Sequence, residues 1–181
     1  MSLQKWLQRD AFYSKNLQLK KSKGIWHAIC VFFAHSGDSW FWLIALVLIW
    51  FFGNSEWHAR VSFLIIGLVF LAIFVLIIKF SIKRPRPEGD WGNIYRAADP
   101  HSFPSGHAAR AAALAVIAIS VGPTWFAIVL CLWAPLVGIA RVMLGVHYLS
   151  DVIIGWLIGI IVAILAIALL PVMQNLLPFL F

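Results

Sequence analysis

The sequence predicts an all-α integral membrane protein: a compact bundle of five transmembrane helices, or six, with an N-terminal interfacial helix. Three observations carry this. Hydrophobic residues make up 62% of the chain and charged residues 12%, whereas a soluble domain is nearer half apolar and a quarter charged. Runs such as residues 61–78 carry no charge over a bilayer-spanning length. The 10 Trp and 14 Phe suit a bilayer, since Trp favours its interfaces.

Taken in order, residues 1–23 hold Lys5, Arg9, Lys15, Lys20, Lys21 and Lys23 against one acid, Asp10, a basic interfacial helix. Residues 24–34 are apolar, but as a helix they reach only about 16 Å, half the hydrocarbon core. They are expected to lie at the interface or re-enter, ending at the polar break His35-Ser36-Gly37-Asp38-Ser39. Asp38 is read there as the cap of the next helix. Residues 40–53 form the first full span, 54–60 a polar turn, and 61–78 the second span. Prolines 85, 87 and 100 keep the charged stretch 79–101 from continuing as helix. The third span runs from 104 to about 121, and Gly122-Pro123-Thr124 reverses the chain. The fourth covers about 125–140. A loop over 141–150 leads to the fifth span, 151–170, which Pro171 closes. The division is a basic interfacial segment (1–37), a transmembrane domain (38–170) and an apolar tail (171–181).

The net charge of +7 fits anionic lipid headgroups or a phosphate substrate. It does not fit nucleic acid, because no basic patch lies on a soluble module. Cys30 and Cys131 both sit in apolar runs and have no metal-site spacing.

With five crossings, three polar pieces fall on one side of the bilayer. One runs from Lys79 to Arg86-Pro87, the next is Pro104-Ser105-Gly106-His107, and the last holds Arg141, His147 and Asp151. Their chemistry suits a phosphate. A helix N-terminus offers unpaired N–H groups, Gly106 lets an anion approach the backbone, and Ser105 adds a hydroxyl. Arg86 and Arg141 can grip phosphate oxygens in a fork, and Lys79 adds a point charge. His147 and Asp151 are one helical turn apart, so the carboxylate can fix the imidazole tautomer and leave the other nitrogen as nucleophile or base. His107 comes from another span and can protonate the leaving oxygen.

These pieces resemble, in order, the K-x6-R-P, P-S-G-H and S-R-x5-H-x3-D motifs of the type 2 phosphatidic acid phosphatase superfamily. The resemblance covers residues 79–151 and departs at Ala140, where the family has Ser. It implies phosphate binding by Lys79, Arg86, Ser105, Gly106 and Arg141, a His147 nucleophile partnered by Asp151, and His107 as general acid, with no metal and no cofactor. It further implies a lipid phosphatase acting on phosphatidylglycerol phosphate, phosphatidate, a polyprenyl diphosphate or a lipid A phosphate.

Two rivals are set against this. A zinc hydrolase could use His101, His107, His147 and Asp151, but Lys79, Arg86 and Arg141 would then crowd a cation. A transporter or channel would want ionisable groups at mid-bilayer, and the span centres are clean. Arg96, Asp99 and Arg110 are candidates for shaping a headgroup pocket, and His101 is read as solvated. The basic N-terminus favours the cytoplasm and, with five spans, takes the site there too, in a bacterial cytoplasmic membrane. A crossing by 24–34 would turn the site outward.

Overall fold

The computed structural model describes residues 2–19, 24–88 and 99–180. The described chain is helical: α1 (Leu3–Leu17), α2 (Ile25–Ser36), α3 (Ser39–Phe52), α4 (Ser55–Ile82), α5 (Gly106–Val121), α6 (Thr124–Met143), α7 (Leu149–Leu176) and a 3-10 turn, Pro178–Leu180. Lys20, Lys21, Lys23 and Arg96 lie outside the described residues.

α4, α6 and α7 are each long and apolar enough to cross a membrane. α2 and α3 reach that standard only together, bent by 57° at their break. Such a bent pair is a broken span or a re-entrant loop, the second of which was expected for residues 24–34. Cys30 and Ala34 of α2 pack on Ala140, Leu144 and Val146, so the segment is packed against the end of α6 and the loop that follows it. The bend lies at Gly37 and Asp38.

α5 is the short central helix, packed on α4, α6 and α7. Its alanines allow this. Ala108 and Ala109 face Gly155 and Gly159 of α7, and a Cβ on Gly155 would stand 2.6 Å from the Ser105 carbonyl oxygen. Small residues at this spacing let two backbones approach closely, and here they fix the mouth of α5 against α7.

The ends of the bundle can be told apart by their contacts. At one end the Leu19 N–H donates to the Met143 carbonyl at 2.9 Å, Ser102 N–H to Arg84 at 2.8 Å and Ser105 N–H to Asp151 at 2.9 Å. At the other, Trp50 Nε1 donates to Ser62 at 3.2 Å, His58 stacks on Trp50, and Glu56 pairs with Arg60. The N-terminus therefore shares the end that carries the three polar pieces, and α7 carries the C-terminus away from it.

α1 is joined to that end by polar groups. Ser14 Oγ accepts from the Leu149 N–H at 2.8 Å, and Asp10 accepts from the Ser150 N–H at 3.1 Å and its hydroxyl at 2.5 Å. The first turn of a helix has N–H groups with no partner inside the helix, and α1 supplies partners for α7. Exposed Trp6, Phe12 and Tyr13 remain on its surface. α7 passes through Pro171 to Leu176, beyond the stop expected at residue 170, and Pro135 lies inside α6. Bilayer hydrocarbon offers unwound backbone no partners, so losing one hydrogen bond at proline is less costly there than ending the helix.

Candidate active site

α4 carries Lys79 in its last turn, buried, and ends at Lys83 in a left-handed conformation, φ 53°. The prolines then hold 84–87 extended. This segment meets the returning chain through a Pro85–His101 bridge, and Ser102 Oγ donates to the Pro85 carbonyl at 3.1 Å. The pairing brings Arg86, Asp99 and Ser102 together beside His147. His101 lies edge-on to Phe80 and is half-buried, not fully solvated.

The loop bearing His147 is tied to the end of α6. The Arg141 carbonyl accepts from the N–H groups of Val146 at 3.1 Å and His147 at 3.3 Å, and Gly145, with φ +68°, makes the turn. Arg141 itself is fully buried.

His147 has its tautomer set by its neighbours. Arg86 Nη1 lies 3.2 Å from Nε2, and a guanidinium can only donate. Nε2 therefore accepts, and Nδ1 carries the proton, donating to the Ser102 carbonyl at 2.8 Å. Burial drives the imidazole pKa well below its ordinary value, and the charges of Arg141, Arg86 and Lys79 lower it further against the Ser102 bond. The ring is neutral, with its lone pair on Nε2.

Asp151 lies beside His147, as expected, at ion-pair distance. Its Oδ2 is 3.6 Å from Nδ1, too far for a hydrogen bond. It accepts instead from the Tyr148 N–H at 2.9 Å and from Arg84 at 2.7 Å. The carboxylate thus holds the turn that presents His147, and a backbone carbonyl holds the ring. Arg84 ties α7 to α1: it also donates to Ser150 at 2.8 Å and Asp10 at 2.7 Å, and lies over the Tyr148 ring.

The second piece forms the mouth of α5. Ser105 is its N-cap, with Oγ accepting from the Ala108 N–H at 3.4 Å. A Cβ on Gly106 would meet Val75 at an ordinary 3.7 Å, so packing alone does not require glycine there. His107 Nε2 lies 2.6 Å from Asp38 Oδ1. Asp38 makes no side-chain cap on α3, which corrects that reading. Arg110 donates to the Gly37 carbonyl at 2.5 Å. Both groups thus meet at the break between α2 and α3, beside the first turns of α5.

Asp99 sits among the expected phosphate ligands. Its carboxylate pairs with Lys79 and accepts from Arg86 Nη2 at 2.8 Å, while its carbonyl accepts from Arg86 Nε at 2.7 Å. Burial would raise its pKa, but Lys79 and Arg86 outweigh that and hold it below the usual carboxylate range. A carboxylate oxygen thus stands where two cations converge, as a phosphate oxygen would. Arginine and lysine have no lone pair to give a metal. Among the described residues no three His, Cys, Asp or Glu side chains converge in a metal-binding group.

Sequence reasoning singled out neither Arg84 nor Ser102, and gave Asp99 no partner. All three lie in or beside the proline-rich loop, where no helical or strand period relates one residue to another. The only signal was the density of opposite charges between 79 and 101.

The model of the PAP2 superfamily matches residues 60–172. The undecaprenyl-diphosphatase of Sulfolobus acidocaldarius is 28% identical over 146 residues, 78% of this chain and 69% of that protein. Phosphatidylglycerophosphatase B of Bacillus subtilis is 35% identical over 140 residues, 70% of this chain and 66% of that protein. Among solved structures, Aquifex aeolicus LpxE superposes with a TM-score of 0.67 at 25% identity, covering 90% of this chain and 94% of that one. The PAP2-type phosphatidylglycerolphosphate phosphatase of Bacillus subtilis gives 0.72 at 25% identity, over 90% and 84%. The chain belongs to the PAP2 superfamily, among its membrane-embedded lipid phosphatases.

Proposed function

We propose that the chain hydrolyses a lipid phosphomonoester or diphosphate through a phosphohistidine on His147, without a metal or cofactor. The observation that carries this is the neutral His147, whose Nε2 lone pair faces Arg86 among three cations. Substrate phosphate displaces the Asp99 carboxylate from Lys79 and Arg86. Arg141 and the mouth of α5, with Ser105 and Gly106, hold its other oxygens. Nε2 attacks phosphorus, the ester P–O bond breaks, and His107 gives its proton to the leaving oxygen. Water then attacks the phosphohistidine. His107 takes a proton from that water, phosphate leaves, and His147 is neutral again. The cations offset charge that develops at phosphorus.

Residues 2–19 and 25–36 belong to the same working unit rather than to a separate interfacial segment. Asp10 meets Arg84, and the break after α2 meets His107. Exposed Lys5 and Lys15 near Trp6 and Phe12 support contact between α1 and anionic headgroups.

The purified protein should be offered phosphatidylglycerol phosphate, phosphatidate, a polyprenyl diphosphate and a lipid A phosphate. Turnover of at least one should persist in EDTA and be blocked by vanadate, which resembles trigonal-bipyramidal phosphorus. Activity lost on chelation and restored by zinc would overturn the metal-free reading.

The site faces the cytoplasm on this reading. α1 shares its end of the bundle, and the basic N-terminus favours that side. Single cysteines replacing exposed Lys15 and Glu88, in a chain lacking Cys30 and Cys131, should both escape an impermeant thiol reagent on intact cells. Labelling at Glu88 alone would mean a sixth crossing, and labelling at both would put the whole face outside.

A further inference from the structure

The break between α2 and α3 lies beside the first turn of α5. Asp38 projects from it, with Oδ1 2.6 Å from His107 Nε2 and Oδ2 3.0 Å from His35 Nδ1. The Asp38 and His107 side chains are only 19% and 18% exposed. A carboxylate so enclosed is costly unless it has partners, and both of these are imidazoles.

The break is held firmly. Arg110 Nη1 donates to the Gly37 carbonyl at 2.5 Å, Trp133 Nε1 to Ser36 Oγ at 2.8 Å and Trp42 Nε1 to the Ser36 carbonyl at 3.0 Å. A Cβ on Gly37 would stand 2.9 Å from Val137 Cγ1 and 3.2 Å from His107 Cδ2. The backbone that carries Asp38 is therefore fixed against the ring it serves.

An ionised carboxylate can only accept, so His107 donates from Nε2. A protonated imidazole donates from both nitrogens, and Nδ1 is then the one left to meet a leaving oxygen. Arg110 and Arg141 act electrostatically on His107. Burial and then their like charge oppose an imidazolium, and the Asp38 carboxylate acts against both.

From this geometry we infer that Asp38 is a positioning residue for the reaction. It fixes Nε2–H of His107, directs Nδ1–H to the leaving oxygen and stabilises the imidazolium that gives up that proton, with His35 orienting the carboxylate from behind. The inference rests on His107 being the general acid.

The test compares two substrates. An alkyl lipid phosphate, such as a short-chain phosphatidate, leaves as a strongly basic alkoxide and needs a proton. p-Nitrophenyl phosphate leaves as a stable phenolate and does not. General acid catalysis contributes about 10²–10⁴-fold. Asp38→Asn should lower kcat on the lipid phosphate by about 10²-fold, within that range. It should leave KM and p-nitrophenyl phosphate turnover within about 3-fold, since that substrate draws little on the acid. In a His107→Ala background the same change should cost nothing further, because groups acting as one unit are not additive.

Trp133→Phe removes one hydrogen bond at the break without touching His107, and should show no substrate selectivity. If it reproduces the selective loss, Asp38 merely shapes the break and the inference falls. If His107→Ala impairs both substrates equally, the general-acid reading itself fails. If His107→Ala is selective and Asp38→Asn is not, the role of Asp38 alone is refuted. Vanadate binding reports folding in every variant. Should Asp38→Asn not fold, His35→Gln carries the test. It should give a weaker loss of the same selective kind, and an unselective effect there would overturn the inference.

Discussion

Replacing His147 with alanine should lower turnover of the lipid phosphate by about 10⁴-fold or more, the scale seen when a nucleophile is lost. The side chain is almost fully buried, with Nδ1–H held by Ser102 and Nε2 held by Arg86. Alanine removes the attacking atom and disturbs no helix, because residue 147 lies in the loop before α7. Vanadate should still bind the variant through Arg86, Arg141 and the mouth of α5. Near-normal activity would remove His147 as nucleophile.

The pH profile of the unaltered protein tests the same atom. Only the neutral ring can attack. Burial, followed by the charges of Arg141, Arg86 and Lys79, lowers its pKa. The acid limb of kcat/KM, which reports the free enzyme, should therefore lie below the ordinary imidazole value of about 6.5. Activity should persist as pH falls through that value and fail only in more acid solution. A limb above it would mean that the cations do not act on the essential base.

The spans over α4, α6 and α7 and the three polar pieces could be read from the sequence, because both signals are local. An apolar run is contiguous, and Lys79, Arg86, Arg141, His147 and Asp151 follow fixed spacings. Partners that meet only in space could not be read. Asp38 looked like a cap because it precedes a helix, yet its side chain turns to His35 and to His107, 69 residues away. Asp151 could be read as the histidine's neighbour because the two are a turn apart, and they do meet at 3.6 Å, but the Ser102 carbonyl that accepts from Nδ1 could not. The loop before α7 turns the ring toward Ser102, 45 residues earlier. Pro171 looked like a stop because the rule for proline comes from water, where a freed backbone group finds a partner. Residues 24–34 read as too short to span alone, and α2 reaches a spanning length only together with α3, across a bend that no local apolar pattern marks.

Replacing Arg141 with alanine should lower kcat/KM by about 10³–10⁵-fold, the range for an arginine that stabilises charge on a transferring phosphoryl group. The residue is fully buried in the last turn of α6, and its charge reaches His147. It brings to the site a positive charge and a planar fork of donors. Arg141→Lys separates the two. The lysine keeps the charge but loses the fork, so it should recover part of the loss, and vanadate should bind it more weakly than the unaltered protein. The Arg141 carbonyl holds Val146 and His147 through their N–H groups, and neither substitution removes it, so the His147 loop should keep its shape. That is checked by the p-nitrophenyl phosphate profile, whose acid limb should move to higher pH in Arg141→Ala, as one of the charges lowering the His147 pKa is gone. A lysine variant as impaired as the alanine one would assign the whole effect to fork geometry. An alanine variant within 10-fold of normal would take Arg141 out of the phosphate site.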